Sequence, residues 1–476
     1  MLISAEIKTV LTNSISILHH DLSFSGNYND YILQMLFLKW LLDIQAEKYI
    51  ERDHSNIIFN IPKEINWLVV ENLKEDIGEK LTDIFNCIES ADSKLKDIFV
   101  NPKINQWNRI NDCTLKQLIE NFSILDLRSH ILKRPDLLGD IYENLTINSE
   151  LHEVKTNVNY FTPRHITKLI VDLATPQTKM QIYDPACGSG GMLIECVRQF
   201  QEKGEEFHNI LLYGQEEDYE LRSIAKINLL LKGVEHSQIL SGNIIQNNSL
   251  EKFDLVIANP PFGIKNWGVH SKKHDLLHQF SYGNPPKNSA DYAFIQRILS
   301  TLKNTGKAAI IVPHGVLFRG GVESEIRKNI IEDDLIEAVI GLPANLFYNT
   351  KIPTAIIIFN RNKLENRKNR ILFIDASHEY KMENRKKNFL TNDHIAKIVS
   401  IYSNFHEEIG YSKIASAKEV ADYNYILDIT HFVKPLYPEN GLDIDSQVKK
   451  VQTLETQRNK IEAQMDSCLR ILGIEI

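Results

Sequence analysis

The strongest constraint on this chain is the tetrapeptide Asn259-Pro260-Pro261-Phe262, which closes the apolar run Leu255-Val256-Ile257-Ala258. A short apolar run stopped by prolines reads as a parallel strand buried on both faces. Two successive prolines fix φ, remove two N–H donors and push the preceding residue out of helical geometry. The tetrapeptide therefore sits at the carboxyl end of its strand, the edge of an open α/β sheet where ligands collect. There the carbonyls of Asn259 and Pro260 can project as acceptors, with the Phe262 ring beside them. Two acceptors and an aromatic face suit a planar base carrying an exocyclic amine. Taken alone, the same residues also make a rigid corner with a core phenylalanine, so their neighbours decide.

Upstream, Tyr160-Phe161-Thr162-Pro163-Arg164 precedes an amphipathic helix from Ile166 to Leu173. Ile182-Tyr183 then leads into Asp184-Pro-Ala-Cys-Gly188-Ser-Gly190-Gly191-Met-Leu, a strand end, a glycine turn and a helix start. Glycines allow positive φ and close approach of a ligand to the backbone. The spacing is G-x-G-G, so the G-x-G-x-x-G dinucleotide fingerprint fails, and no G-x-x-x-x-G-K-[ST] loop offers a site for NTP hydrolysis. A second strand, Ile210 to Gly214, ends at Gln215-Glu216, where an acid can accept from ribose hydroxyls. A third, weaker element ends at Asn243, able to contact an adenine edge. Each of these residues alone fits a surface loop; in this order, each at a strand end, they make a ligand site.

The rest bounds the problem. A chain of 476 residues exceeds one core, so about two or three domains are expected. Residues 1 to 150 read as helical: Tyr31, Ile32, Met35, Leu36, Leu38, Leu41, Leu42 and Ile44 form a broad apolar face, with Asn29 and Asp30 as cap candidates. Further helices are expected around residues 64–77, 81–89, 115–122 and 137–145. Pro135-Asp136 with Glu153-Val154-Lys155 matches a loose nuclease pattern, but the helical spacing of Leu137, Leu138, Ile141 and Leu145 argues against the hairpin that chemistry needs. Five scattered cysteines without a C-x-x-C pair suggest reduced thiols, a cytoplasmic setting and no zinc site. No run of about 18 uncharged apolar residues predicts a membrane span. The net charge of −8 means that a DNA grip has to come from a local patch or a partner. Two patches qualify: the loop 263–289, with Lys265, Lys272, Lys273, Lys287, His270, His274 and His278, and residues 361–387, with nine Lys/Arg against four Asp/Glu. Residues 443–472 read as a carboxyl-terminal helix.

The motifs Tyr160–Arg164, Asp184–Leu193, Tyr213–Glu216, Asn259–Gly263, Tyr282–Leu299, Gly306–Gly321 and Leu335–Arg361 resemble the γ-class adenine DNA methyltransferases. Specifically, they resemble the modification subunit of type I restriction-modification systems. Phe37–Asp43 and Asp136–Leu145 extend the likeness into the amino-terminal part. The resemblance implies an α/β, Rossmann-like catalytic domain over 151–375, preceded by an all-helical domain over 1–150. A carboxyl-terminal extension over 376–476 follows, ending in a partner-binding helix. It implies S-adenosylmethionine as cofactor, held by Asp184, Gly188, Gly190 and Glu216, with Phe161, Thr162 and Pro163 closing over its methionine end and Asn243 at its adenine. Asn259, Pro260 and Phe262 match the catalytic tetrapeptide. The sequence departs at Asn243, where aspartate is common, and at Phe161, where tyrosine is common. An amide oxygen can still accept from an adenine amine. The expected partners are double-stranded DNA with its target base flipped out, and a specificity subunit, as two modification chains to one. A restriction subunit can join them. The alternatives are a self-sufficient adenine methyltransferase, a glutamine methyltransferase and a catalytically silent scaffold. The short chain left after the catalytic fold, the terminal Phe262 and the intact motifs argue against them in turn.

Overall fold

The computed structural model describes residues 2–21, 28–50, 59–99, 107–128, 162–205, 210–234, 237–246, 251–267, 280–347, 352–384, 387–434 and 444–471. Phe161, the nuclease-like residues 135–136 and 153–155, the helix expected over 137–145, and the loop segment 268–279 lie outside them. The chain divides into two compact units, Met1–Val433 and Lys434–Ile476.

The first unit is built on a nine-stranded sheet. Its strands are β1 (Gln181–Asp184), β2 (Leu211–Glu216), β3 (Gln238–Ser241), β4 (Phe253–Ala258), β5 (Leu302–Pro313), β6 (Ile336–Gly341), β7 (Thr354–Asn360), β8 (Arg370–Asp375) and, after the hairpin β9 (Lys381–Asn384) and β10 (Lys387–Phe389), β11 (Ser412–Ser416). The spatial order is β11-β8-β6-β7-β5-β4-β1-β2-β3. Strands β1 to β5 run parallel, β7 inserts antiparallel between β5 and β6, and β11 closes the edge antiparallel to β8. Chain order reverses at β1, with β2 on one flank and β4 on the other. That switch point is where a crevice opens above the strand ends.

Alternation along each strand fills both faces. Ile182, Leu212, Leu255, Ile257, Ile311, Ile340 and Ile356 enter one core. Their neighbours Tyr183, Tyr213, Val256, Ala258, Ile310, Val339 and Ile357 enter the other. Strands buried on both sides need the continuous apolar runs seen in the sequence.

Among the described residues before β1 all regular structure is helical, with α-helices Leu2–His19, Tyr28–Ile50, Trp67–Glu71, Ile77–Ala91 and Asp112–Ser123. The second begins at Tyr28, so Asn29 and Asp30 lie in its first turn rather than ahead of it as caps. The bundle core is aromatic: Phe85 stacks on Phe99 at 4.6 Å between centroids, and Trp107 meets Tyr31 edge-on at 4.8 Å. Helix Tyr219–Leu231 joins bundle to sheet. Its Ala225 and Leu229 face the sheet core, whereas Leu221, Ile224, Ile227, Leu230 and Leu231 complete the bundle core. Between these two apolar faces Arg222 and Lys226 reach Asp97 of the bundle at 3.5 and 3.8 Å. The second unit contains the helix Ile444–Ile471, with exposed apolar residues Val448, Val451, Leu454, Ile461 and Met465.

Candidate active site

The sheet brings the ends of β1, β2, β3 and β4 to one edge. Asp184 ends β1, fully buried. Its Oδ1 accepts from the Ala186 N–H at 3.1 Å, shaping the glycine turn, and its Oδ2 is buried without a partner. Burial pushes its carboxyl up to about 8, opposed by the Ala186 hydrogen bond and reinforced by the charge of Glu216. The turn continues through Gly188 at φ +54° to Gly190 at φ +84°. A Cβ on Gly190 would stand 3.3 Å from the Ala225 Cβ, so glycine is required there for conformation and for contact with the neighbouring helix.

Glu216 ends β2 and is tied to the same turn. Its Oε2 accepts from the Gly188 N–H and its Oε1 from the Asp218 N–H, both at 2.9 Å. Burial raises its carboxyl and these two bonds partly offset that. A carboxylate has about four acceptor positions, so two remain for a ligand's hydroxyls. Asn243 follows β3 and is already engaged: Oδ1 accepts from the Ile245 N–H at 2.9 Å and Nδ2 donates to Glu217 at 3.2 Å. It caps its own turn and keeps one lone pair on Oδ1.

Asn259 shows the feature that the sequence did not disclose. Its Nδ2 donates to Thr162 Oγ1 at 2.9 Å, across 97 residues of chain. That bond fixes the amide plane and leaves Oδ1 buried with no partner. Thr162 thus meets the tetrapeptide directly, and Pro163 starts the helix Arg164–Ala174 by accepting from the Ile166 and Thr167 N–H groups. Phe262 is half-buried against Phe347, edge-on at 6.1 Å. Two more buried polar atoms lack partners at this edge: His314 Nε2 after β5, and Thr354 Oγ1, opposite Pro313 at the start of β7. Neither was singled out in the sequence, where a lone histidine or threonine carries no signal.

Of the basic patches, Lys265 and Lys287 are exposed. Two cations of the 361–387 run are structural instead: Lys363 is buried on Asp334 at 2.6 Å, and Arg367 reaches Glu337 at 3.4 Å.

Residues 133–440 match the N-6 DNA methylase family, and residues 9–122 match the HsdM N-terminal domain. The chain belongs to the N-6 DNA methylase family. It is 30% identical over 439 residues to the type I restriction enzyme MjaIX methylase subunit of Methanocaldococcus jannaschii, covering 87% of this chain and 78% of that protein. The HindI methylase subunit of Haemophilus influenzae is 30% identical over 84% of this chain and 93% of its own length. Among solved structures, a type I restriction-modification methyltransferase subunit from Streptococcus thermophilus superposes with a TM-score of 0.74 at 26% identity, covering 91% of this chain and 100% of that one. The methylase is therefore an adenine-specific, S-adenosylmethionine-dependent DNA methyltransferase and the modification subunit of a type I restriction-modification system. Methylase subunits of type I restriction-modification systems act with DNA and with other subunits of the complex.

The residues present fit the cofactor. Asp184 holds an orphaned buried oxygen suited to a cationic or N–H donor, Gly190 keeps the turn open, and Glu216 has acceptor capacity left for hydroxyls.

Proposed function

We propose that Asn259, Pro260 and Phe262 carry out the transfer, with Thr162 orienting Asn259, while Asp184, Gly188, Gly190 and Glu216 hold S-adenosylmethionine. The resemblance assigns Phe161 and Pro163 to its methionine end and Asn243 to its adenine. The observation that carries this reading is the buried, partnerless Oδ1 of Asn259 beside an amide nitrogen already committed to Thr162. An unsatisfied buried acceptor costs about 1–3 kcal/mol, and a bound donor removes that cost.

Bound at this site, the cofactor supplies an electrophilic methyl group on a sulfonium. The chain's task is to prepare the amine. An adenine N6 is a poor nucleophile because its lone pair is delocalised into the ring. Hydrogen bonds from its two N–H groups to Asn259 Oδ1 and the Pro260 carbonyl favour a pyramidal nitrogen and localise that lone pair. Fixed acceptors and orientation then replace a dedicated base, and the proton leaves after transfer. The base reaches this geometry only outside the duplex; extrusion costs a few kcal/mol, and stacking on Phe262 returns about 1–3 kcal/mol.

The finer partner reading is two methylase chains with one specificity chain, in the cytoplasm, with a restriction subunit able to join. The apolar residues on helix Ile444–Ile471 support a partner contact there. Methylation-sensitive sequencing of DNA from cells carrying this gene with and without its neighbours tests the whole. N6-methyladenine should appear at one sequence only when the specificity partner is present. Sequence-specific methylation by the chain alone would establish the self-sufficient reading instead.

A further inference from the structure

The catalytic turn is held from outside. Past Phe262 the chain turns through Gly263 at φ +63° and then runs beside residues 286–291. The Ala290 N–H donates to the Ile264 carbonyl at 3.0 Å, and the Asn266 N–H to the Lys287 carbonyl at 2.9 Å. Trp267 Nε1 donates to the Pro286 carbonyl at 3.0 Å. All three contacts end on a backbone carbonyl. The contact nearest the tetrapeptide is of a different kind: the Gly263 N–H donates to Asp291 Oδ1 at 3.0 Å.

Asp291 is an expensive way to satisfy one N–H. Its side chain is 3% exposed, and a carboxylate buried that deeply is tolerated only when paired. Its Oδ2 receives the Arg319 guanidinium and the Ser289 hydroxyl, the latter at 3.2 Å. Arg319 also donates to Glu323, itself buried, so one arginine bridges two buried acids. Asp291 opens helix Asp291–Ser300, and Arg319, which caps the short helix Gly315–Phe318, is itself held by Glu323 in helix Val322–Glu332. A neutral residue could start that helix without the desolvation; what it could not do is fix the Gly263 N–H from a charged, doubly held acceptor.

We propose that Asp291 is a positioning residue for methyl transfer. Its Oδ1 fixes Gly263 and thereby the placement of the Pro260 carbonyl and the Phe262 ring, and Arg319 holds the carboxylate in register. The inference rests on the catalytic reading of Asn259–Phe262. Displacing a reacting group by about 1 Å can cost on the order of 100-fold in rate, so a remote anchor of the turn controls transfer without touching the substrate.

The test compares Asp291→Ala, Asp291→Asn and Asn259→Ala in the complex assembled with the specificity partner. The readouts are single-turnover methylation, S-adenosylmethionine affinity and the fluorescence of 2-aminopurine at the target position. Asp291→Ala should slow transfer about 10- to 100-fold, leave cofactor affinity within about twofold and alter the emission of the flipped base, because the stacking ring has moved. Asp291→Asn, which keeps an oxygen for Gly263, should recover the rate to within about fivefold of wild type. Should Asp291→Ala not fold, Arg319→Ala tests the same anchor, with an expected loss of about three- to tenfold. Wild-type transfer and emission in Asp291→Ala, or in both Asp291→Asn and Arg319→Ala, overturns the proposal while Asn259→Ala stays inactive; so does an Asp291→Asn as slow as Asp291→Ala. An Asn259→Ala of wild-type rate removes the catalytic reading itself.

Discussion

The two ends of the sheet treat buried polarity in opposite ways. Near the amino ends of β5 and β6, Lys307 is buried and donates to the Leu173 carbonyl at 2.8 Å, while burial pushes its ammonium down to about 8. Glu337 accepts from Tyr402 at 2.5 Å and from Arg367, which also donates to the Ser403 carbonyl at 2.7 Å. The charges of that cluster are balanced within the chain, with Arg367 Nε its one buried nitrogen left without a hydrogen bond among the described residues. At the carboxyl ends Asp184 Oδ2, Asn259 Oδ1, His314 Nε2 and Thr354 Oγ1 are buried and partnerless. One end of the sheet balances its buried charges within the chain, whereas the other leaves a row of buried polar atoms without partners at the proposed ligand site. Lys307 links the two, because the carbonyls it holds end the helix that begins at Pro163 beside Thr162.

That contrast can be broken from either side. Glu337→Ala leaves Lys307 and Arg367 without their counter-charge, so denaturation should show a loss of about 3–5 kcal/mol, with cofactor affinity per folded molecule unchanged. An undiminished stability would mean that the cluster is ornamental. At the open end, Glu216→Ala should weaken S-adenosylmethionine binding by about 1–3 kcal/mol, measured by calorimetry, with little change in melting temperature.

Asp184 adds a pH signature. Burial pushes its carboxyl up to about 8, and a cationic ligand favours the ionised form, so binding expels a proton. Affinity should therefore weaken as pH falls from about 8 to about 6, by at most about tenfold per unit, and Asp184→Asn should flatten that slope. A slope that survives the substitution assigns the proton to another group. Thr162→Val removes the acceptor that orients Asn259 and should slow single-turnover transfer about tenfold while changing cofactor affinity less. The smallest effect on the site belongs to removal of residues 434–476, which should leave cofactor affinity within about twofold even as assembly with the specificity partner is abolished.

The strand ends were legible in the sequence because each carries its own local grammar. Prolines stop β4 after Ala258, glycines turn the chain after Asp184, and the acid Glu216 ends β2. What joins those ends was not legible. Thr162 and Asn259 meet because the helix after Pro163 packs over β4 and β5, a contact that neither residue's neighbours announce. Asp291 was one letter in a matching stretch until its carboxylate was seen on the Gly263 N–H. Charge runs misled for a related reason. The excess over 361–387 reads as one surface in sequence, yet Lys363 and Arg367 turn inward to Asp334 and Glu337. Likewise β11, 36 residues beyond the end of β8, joins the sheet by antiparallel pairing, with only five residues of modest apolarity to signal it.

The central claim is that the orphaned Oδ1 of Asn259 is the acceptor for the target amine. Single-turnover methylation of cognate DNA by the assembled complex carrying Asn259→Ala tests it most directly. On the proposed reading the cofactor and the rest of the DNA are held by other residues, so both affinities should hold while the transfer rate falls by about 100-fold or more. Transfer at the wild-type rate would make Asn259 a strand-end corner and leave its buried oxygen unexplained.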